Sequence, residues 1–160
     1  MKTRILKVFC VFAMLTIVVS VNAQQKGDMA VGIDLVGGTS DFYSNYGVGA
    51  KFQYSITDHI RLEPSFIYFL KKNDIYMWDL SANVHYLFPV NDKIVLYPLA
   101  GIGMLGLGGN RFSGSEVAFN MGGGAQYLIN EKLSANFEIK YVIRNDWNRT
   151  LVSAGVAYKF

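Results

Sequence analysis

The sequence predicts an all-β fold, a closed eight-stranded antiparallel up-and-down transmembrane β-barrel, and three observations carry that prediction. The last ten residues, LVSAGVAYKF, set Val152, Ala154, Val156, Tyr158 and Phe160 at every second position, with Ser153, Gly155, Ala157 and Lys159 between them. That is the period of a strand with one greasy face and one small, polar face. It closes on an aromatic, the residue type that sits at a lipid–water boundary. The same ending recurs upstream as GAKFQYSI, SANVHYLF and GGGAQYLI, with the tyrosines 32, 41 and 31 residues apart. All four read small-small-x-x-x-Tyr-x-apolar, so one hairpin-sized unit repeats four times. Finally, the polar face is built mostly from Gly, Ala, Ser, Asn and Gln. A water-soluble surface carries more Lys and Glu than that.

Taken in order, the chain opens with a targeting segment over residues 1–23. Lys2, Arg4 and Lys7 are its basic part, residues 8–19 its apolar part, and Val21-Asn22-Ala23 its cleavage motif. Cleavage is expected between Ala23 and Gln24, because the apolar run is shorter than the roughly 20 residues that span a bilayer. Cys10, the only cysteine, lies in this segment. The mature chain then has neither disulfides nor thiolate chemistry. Three of the 15 Lys and Arg go with it, leaving 12 basic against 12 acidic residues. That balance gives no footing for a nucleic-acid partner. Residues 24–160 form one domain.

Eight strands are expected, at residues 28–36, 46–56, 60–70, 75–88, 93–104, 116–129, 133–143 and 151–160. Each is long enough to cross a bilayer, which takes about 9–11 tilted residues. In the second, Tyr46, Val48, Ala50, Phe52 and Tyr54 alternate with Gly47, Gly49, Lys51, Gln53 and Ser55. The fourth sets Tyr76, Trp78, Leu80, Ala82, Val84 and Tyr86 against Asp79, Ser81, Asn83 and His85. The fifth is the least clean, because Val95, Tyr97 and Leu99 share the face of Gly101 and Gly103. Pro64 and Pro98 interrupt the third and fifth strands, and a bulge or bend is expected at each.

Turns after even strands are short and rich in Asn, Asp and Pro, at residues 57–59, 89–92 and 130–132. Connections after odd strands are looser, at 37–45, 71–74, 105–115 and 145–148. Short periplasmic turns and longer external loops are the outer-membrane pattern. Tyr46, Tyr68, Tyr76 and Trp78 then form an outer aromatic girdle. Tyr54, Tyr86, Phe88, Tyr127, Tyr158 and Phe160 form a periplasmic one. A lipocalin-like soluble barrel would reverse the two faces. The small residues of the polar face suit instead the narrow bore of eight strands, which side chains fill.

The repeated strand endings, YPLAG at residues 97–101, WDLSANVHYLFPV at 78–90 and the terminal SAGVAYKF resemble the small outer-membrane β-barrel family. The style is that of the OmpA transmembrane domain and OmpX, and of the "porin family" barrels of Bacteroidota. The likeness covers residues 24–160. It implies an eight-stranded barrel, with Val152, Val156, Tyr158 and Phe160 as the signal read by the barrel-assembly machinery. It implies no activity.

Candidate chemistry is sparse. Gly101-Ile102-Gly103-Met104-Leu105-Gly106 matches G-x-G-x-x-G, but no helix N-terminus follows to hold a pyrophosphate. Those glycines are expected to give room to bulky bore residues such as Tyr97 or Phe69. Asp34, Lys51, Arg61, Glu63, Asp79, Glu138, Lys140 and Lys159 face inward, four acidic and four basic, and unpaired charges there are costly. Turn register sets Lys51 diagonal to Glu63 and His85 opposite Tyr97. Together with His85 these residues read as a structural polar network rather than a gated pore. His85 lies at the periplasmic end, away from Ser115-Glu116, which disfavours a lipid-modifying enzyme. Two scattered histidines and no mature cysteine give no metal site, and no cofactor is implied. The expected role is structural or surface-binding, through Phe42, Tyr43, Arg111, Phe112, Trp147 and Arg149, because aromatics and arginines favour recognition. Partners would be outer-membrane lipid and lipopolysaccharide, the assembly machinery, and an extracellular ligand of unknown kind.

Overall fold

The computed structural model describes residues 24–40, 43–72, 75–109, 112–145 and 148–160. The strands are β1 (Met29–Ser40), β2 (Tyr43–Ser55), β3 (Ile60–Lys72), β4 (Ile75–Tyr86, resumed at Phe88–Pro89), β5 (Ile94–Gly109), β6 (Phe112–Leu128), β7 (Leu133–Ile143) and β8 (Arg149–Lys159). Each pairs antiparallel with its neighbour in sequence, β4 included with β5. The ring closes where β1 pairs β8, from Ala30↔Lys159 to Thr39↔Thr150. The result is a closed eight-stranded barrel without an open sheet edge.

The three turns at one end share one device. Asn91 Oδ1 accepts from the N–H groups of Lys93 and Ile94, both at 2.9 Å. Asn130 Oδ1 does the same for Lys132 and Leu133 at 2.9 and 2.8 Å. Thr57 Oγ1 takes the N–H groups of His59 and Ile60 at 3.2 and 2.9 Å. These are local side-chain turns. They fix the register that the alternation needs. The N-terminal turn joins this end, with Gly27 at φ +91° donating to Ser55 O at 2.8 Å.

The opposite, loop end departs from expectation. β1 and β2 stay paired out to Ser40↔Tyr43, and β5 and β6 out to Gly109↔Phe112. Segments 37–40 and 43–45, and 105–109 and 112–115, are therefore strand, not loop. Glycine weakens a strand, but in β5 aromatic rings cover it. A Cβ at Gly106 would strike the ring of Trp78, and one at Gly108 the ring of Tyr76.

Two register expectations also change. The turn between β4 and β5 is closed by Val90 N–H to Ile94 O at 2.8 Å. It lies later than the expected 89–92, so His85 faces Leu99 rather than Tyr97. Neither proline causes a register shift. The ladders lose rungs instead: β2–β3 skips from Lys51↔Ser65 to Tyr54↔Leu62 beside Pro64. β4–β5 skips the rungs beside Tyr97 and Pro98. Proline has no N–H to give, and the N–H of Leu87 goes to His59 O at 2.7 Å. The one register shift between β3 and β4 falls between Phe69 and Lys72.

Side chains alternate as the pleat requires. Ile33 and Leu35 are 66% and 71% exposed, while Lys51 and Arg61 are 5% and 1%. Among the described residues, 18 polar or charged residues are buried against 13 hydrophobic ones, and the large hydrophobics are mostly outside. Water would not sustain that arrangement, whereas a hydrocarbon surround does. Tyr46, Tyr68, Tyr76, Tyr54, Tyr86, Tyr127, Tyr158 and Phe160 all stand on the outer face.

Candidate functional site

The bore is layered. At its loop end lies an apolar plug of Val36, Ile67, Phe69, Met77, Leu105, Ala118, Val142 and Leu151. In the middle lies the polar network. At the turn end, Leu87, Val95, Tyr97 and Leu99 pack along one wall, which explains the fifth strand's mixed face. Glycines make the room for these rings. A Cβ on Gly124 would meet the Tyr97 hydroxyl at 2.5 Å, and one on Gly47 the Phe69 ring at 2.9 Å. The principle stated for Gly101 and Gly103 holds, but those two face Asn83 and Ser81.

The structure brings most of the anticipated charges together. Lys51 stands diagonal to Glu63, as expected, but its Nζ pairs with Asp34 at 2.9 Å, and Asn136 Nδ2 donates to the other Asp34 oxygen at 2.9 Å. Glu63 takes the Gln53 amide at 2.7 Å. Tyr97 donates to Glu138 at 3.2 Å. Ser81 donates to Asp79 at 2.5 Å, and Asn120 to Asn83 at 3.0 Å. Lys140 is buried on β7 beyond Glu138. A void of about 20 Å³ lies among Asp34, Glu63, Ser65, Glu138, Lys140 and Ser153, room for one water. Lys159 sits at the mouth, half-exposed, and pairs with Asp28 at 3.2 Å.

Arg61 is the hub. Its guanidinium donates to Gln126 Oε1 at 2.6 Å, to Gln53 Oε1 at 3.5 Å and to His85 Nδ1 at 2.9 Å. The Tyr97 ring lies 5.0 Å away and also stacks on His85 at 4.6 Å and 6°. Arginine can only donate. His85 Nδ1 is thus the acceptor, and the ring proton sits on Nε2, 3.8 Å from Glu63. Gln53 and His85 each accept from Arg61 and turn a donor toward Glu63. They separate cation from carboxylate by one neutral group.

Sequence reasoning missed one cluster: Glu63, His85 and Glu138 each place a potential ligand atom within 4.8 Å of the others. The donor set does not suit a metal. A ligating imidazole nitrogen must be bare while the other carries its proton toward an acceptor. Here the Arg61 donor occupies the wrong nitrogen. Among the described residues no serine hydrogen-bonds to His85, whose Nδ1 accepts from Arg61.

The anticipated loop residues fare differently. Phe42, Arg111 and Trp147 lie outside the described residues, as do Ala23 and the rest of the targeting segment. Tyr43 and Phe112 are strand-end residues of β2 and β6. Arg149 is a correction: it is 3% exposed and points into the bore. Its guanidinium lies 4.0 Å from the centroid of Phe69 and donates to Asn45 Oδ1 and Met77 Sδ at 3.2 Å. Alternation from Leu151 inward would have found it, since residues 149 and 151 share a face. Arg144, also buried, reaches Glu116 at 3.5 Å and was not anticipated. Val152, Val156, Tyr158 and Phe160 all stand on the outer face.

Comparison with solved structures places this geometry. The N-terminal β-barrel domain of Pseudomonas aeruginosa OprF matches with a TM-score of 0.67 at 20% identity, over 86% of this chain and 100% of that one. Ail, the attachment invasion locus protein of Yersinia pestis, matches with a TM-score of 0.60 at 19% identity, over 85% and 100%. Neisserial surface protein A matches with a TM-score of 0.66 at 15% identity, over 83% and 96%. At these identities the likeness is one of fold. No curated protein gives a significant sequence match. The family described as "Outer membrane protein beta-barrel domain" matches residues 10–160. Nearly the whole chain is thereby accounted for, and the protein belongs to the outer-membrane β-barrel family.

Proposed function

We propose that this outer-membrane barrel is sealed by its own side chains and works as a structural or surface-binding protein without catalysis. The observation that carries the reading is the apolar plug, with Phe69 fully buried and Met77 and Leu105 at 5% and 3% exposure. Hydrated ions do not readily cross a constriction of buried apolar side chains. Beneath it Lys51 pairs with Asp34, Gln53 donates to Glu63 and Tyr97 to Glu138, and side chains fill a bore of this size. Targeting residues 1–23 are removed between Ala23 and Gln24. The tight turns and both termini face the periplasm. The outer face contacts lipid and lipopolysaccharide. The assembly machinery reads the outward row of Val152, Val156, Tyr158 and Phe160. Recognition belongs to the loop end, around Phe42, Tyr43, Arg111, Phe112 and Trp147.

Planar-bilayer recording of the refolded mature chain tests the seal. No unit-conductance steps are expected. Reproducible steps from the wild-type protein would replace the sealed barrel with the competing reading, a narrow small-solute pore. Lipid A mass spectra that change on deletion would likewise replace the non-catalytic role with a lipid-modifying one.

A further inference from the structure

We propose that the vestibule at the turn end binds a small oxyanion, a carboxylate or a phosphate, seated on Arg61. The cavity there holds about 260 Å³ and is lined by Arg61, Gln53 and Gln126 in its depths and by Lys93, Lys132 and Lys159 at its rim. That is just below the range of about 300–1,000 Å³ typical of drug-sized ligands, so it suits a smaller molecule.

Arg61 is the buried cation that faces this cavity. It is 1% exposed, yet among the described residues no carboxylate lies within ion-pairing distance of it. Lys51 finds one at Asp34 (2.9 Å) and Arg144 at Glu116 (3.5 Å); Lys140 and Arg149, also buried, make no ion pair among the described residues, but of these buried cations only Arg61 lines the vestibule. The Arg61 guanidinium has five N–H groups to place. Its acceptors are two neutral amides and one imidazole, and its Nε–H is buried without any partner. A buried cation without a counter-ion is costly, and an oxyanion entering from the vestibule meets that need with charge-assisted hydrogen bonds.

The rim does not supply the sign by itself. Lys159 is held by Asp28, and Asp92 and Glu131 share the rim with Lys93 and Lys132. The net positive charge of the vestibule is therefore that of Arg61. Gln24 arches over the same space, its Nε2 on Gln126 Oε1 at 3.3 Å and its own Oε1 buried without a partner. It offers an acceptor to a hydroxyl or amine on the same ligand.

The test is a nuclear magnetic resonance titration of the mature chain folded in neutral maltoside micelles, following the Arg61 Nε–H and the amides of Ser55 and Gln126. Sodium phosphate and sodium acetate are added against sodium chloride at equal ionic strength. Saturable shifts with either oxyanion and none with chloride are expected, with a dissociation constant on the order of millimolar. Shifts that appear only when an anionic phospholipid is mixed into the micelle identify a lipid headgroup as the source. Arg61→Gln should weaken binding by at least about tenfold. Gln126→Glu gives Arg61 an internal carboxylate at the position of a present acceptor. It should fold, keep its heat-dependent gel mobility, and ignore phosphate and acetate. No saturable shift with any oxyanion, an equal response to chloride, or undiminished binding by Gln126→Glu would overturn the proposal.

Discussion

The two halves of the bore solve the same problem in opposite ways. Both are lined by side chains of alternating strand residues, and both must fill a narrow cylinder. The loop-end half fills it with Phe69, Met77, Ile67 and Leu105, with the Arg149 guanidinium laid on the Phe69 ring. The turn-end half fills it with Arg61, Gln53, His85 and Gln126 and leaves a vestibule of about 260 Å³. Apolar packing depends on shape, so errors there create voids. Polar packing depends on satisfied donors and acceptors, so errors there leave orphaned groups. Each half is thus sensitive to a different kind of substitution.

The largest effect should come from crowding the apolar half. A side chain at Gly47 would meet Tyr68 O at 2.6 Å and the Phe69 ring at 2.9 Å, and backbone cannot step aside in a closed ladder. Gly47→Val is expected to abolish the fast-migrating folded band in unboiled gels. Emptying the same half is milder. Phe69→Ala should cost about 3–5 kcal/mol of unfolding free energy, read by urea titration in micelles. It also strips the ring from beneath Arg149.

In the polar half the effects follow hydrogen bonding instead. Glu63→Ala leaves the Gln53 amide without its acceptor and should cost about 1–3 kcal/mol. Glu63→Gln keeps the shape and an acceptor, and should cost clearly less in the same titration. Smallest of all is Lys159→Gln, which removes the half-exposed pair with Asp28 and should cost at most about 1 kcal/mol. Should Glu63→Gln prove as damaging as Phe69→Ala, the contrast between the halves would fail.

The same contrast explains what could be read without coordinates. Strand number, pairing order, face and girdles follow from strict alternation, and a period of two leaves little freedom. The polar membership of the bore was legible for the same reason, from Asp34 to Lys140. Its partners were not. The Lys51 pairing with Asp34 in place of Glu63 depends on where long side chains reach across the bore, which no sequence spacing encodes. His85 was misplaced by a late turn after Pro89. Arg149 reads as a loop residue because the clear alternation starts only at Leu151, two residues after β8 begins. The strand ends at 105–109 are hard to read because glycine argues against strand until the covering rings of Tyr76 and Trp78 are seen.

The whole account rests on which row of side chains touches hydrocarbon. Residues 24–160 contain no cysteine, so in that segment single cysteines at positions 33, 34, 35 and 36 can each carry a spin label in lipid vesicles. Oxygen, which partitions into hydrocarbon, should relax the labels at 33 and 35 strongly and those at 34 and 36 weakly. The opposite alternation, or none, would contradict the barrel described here.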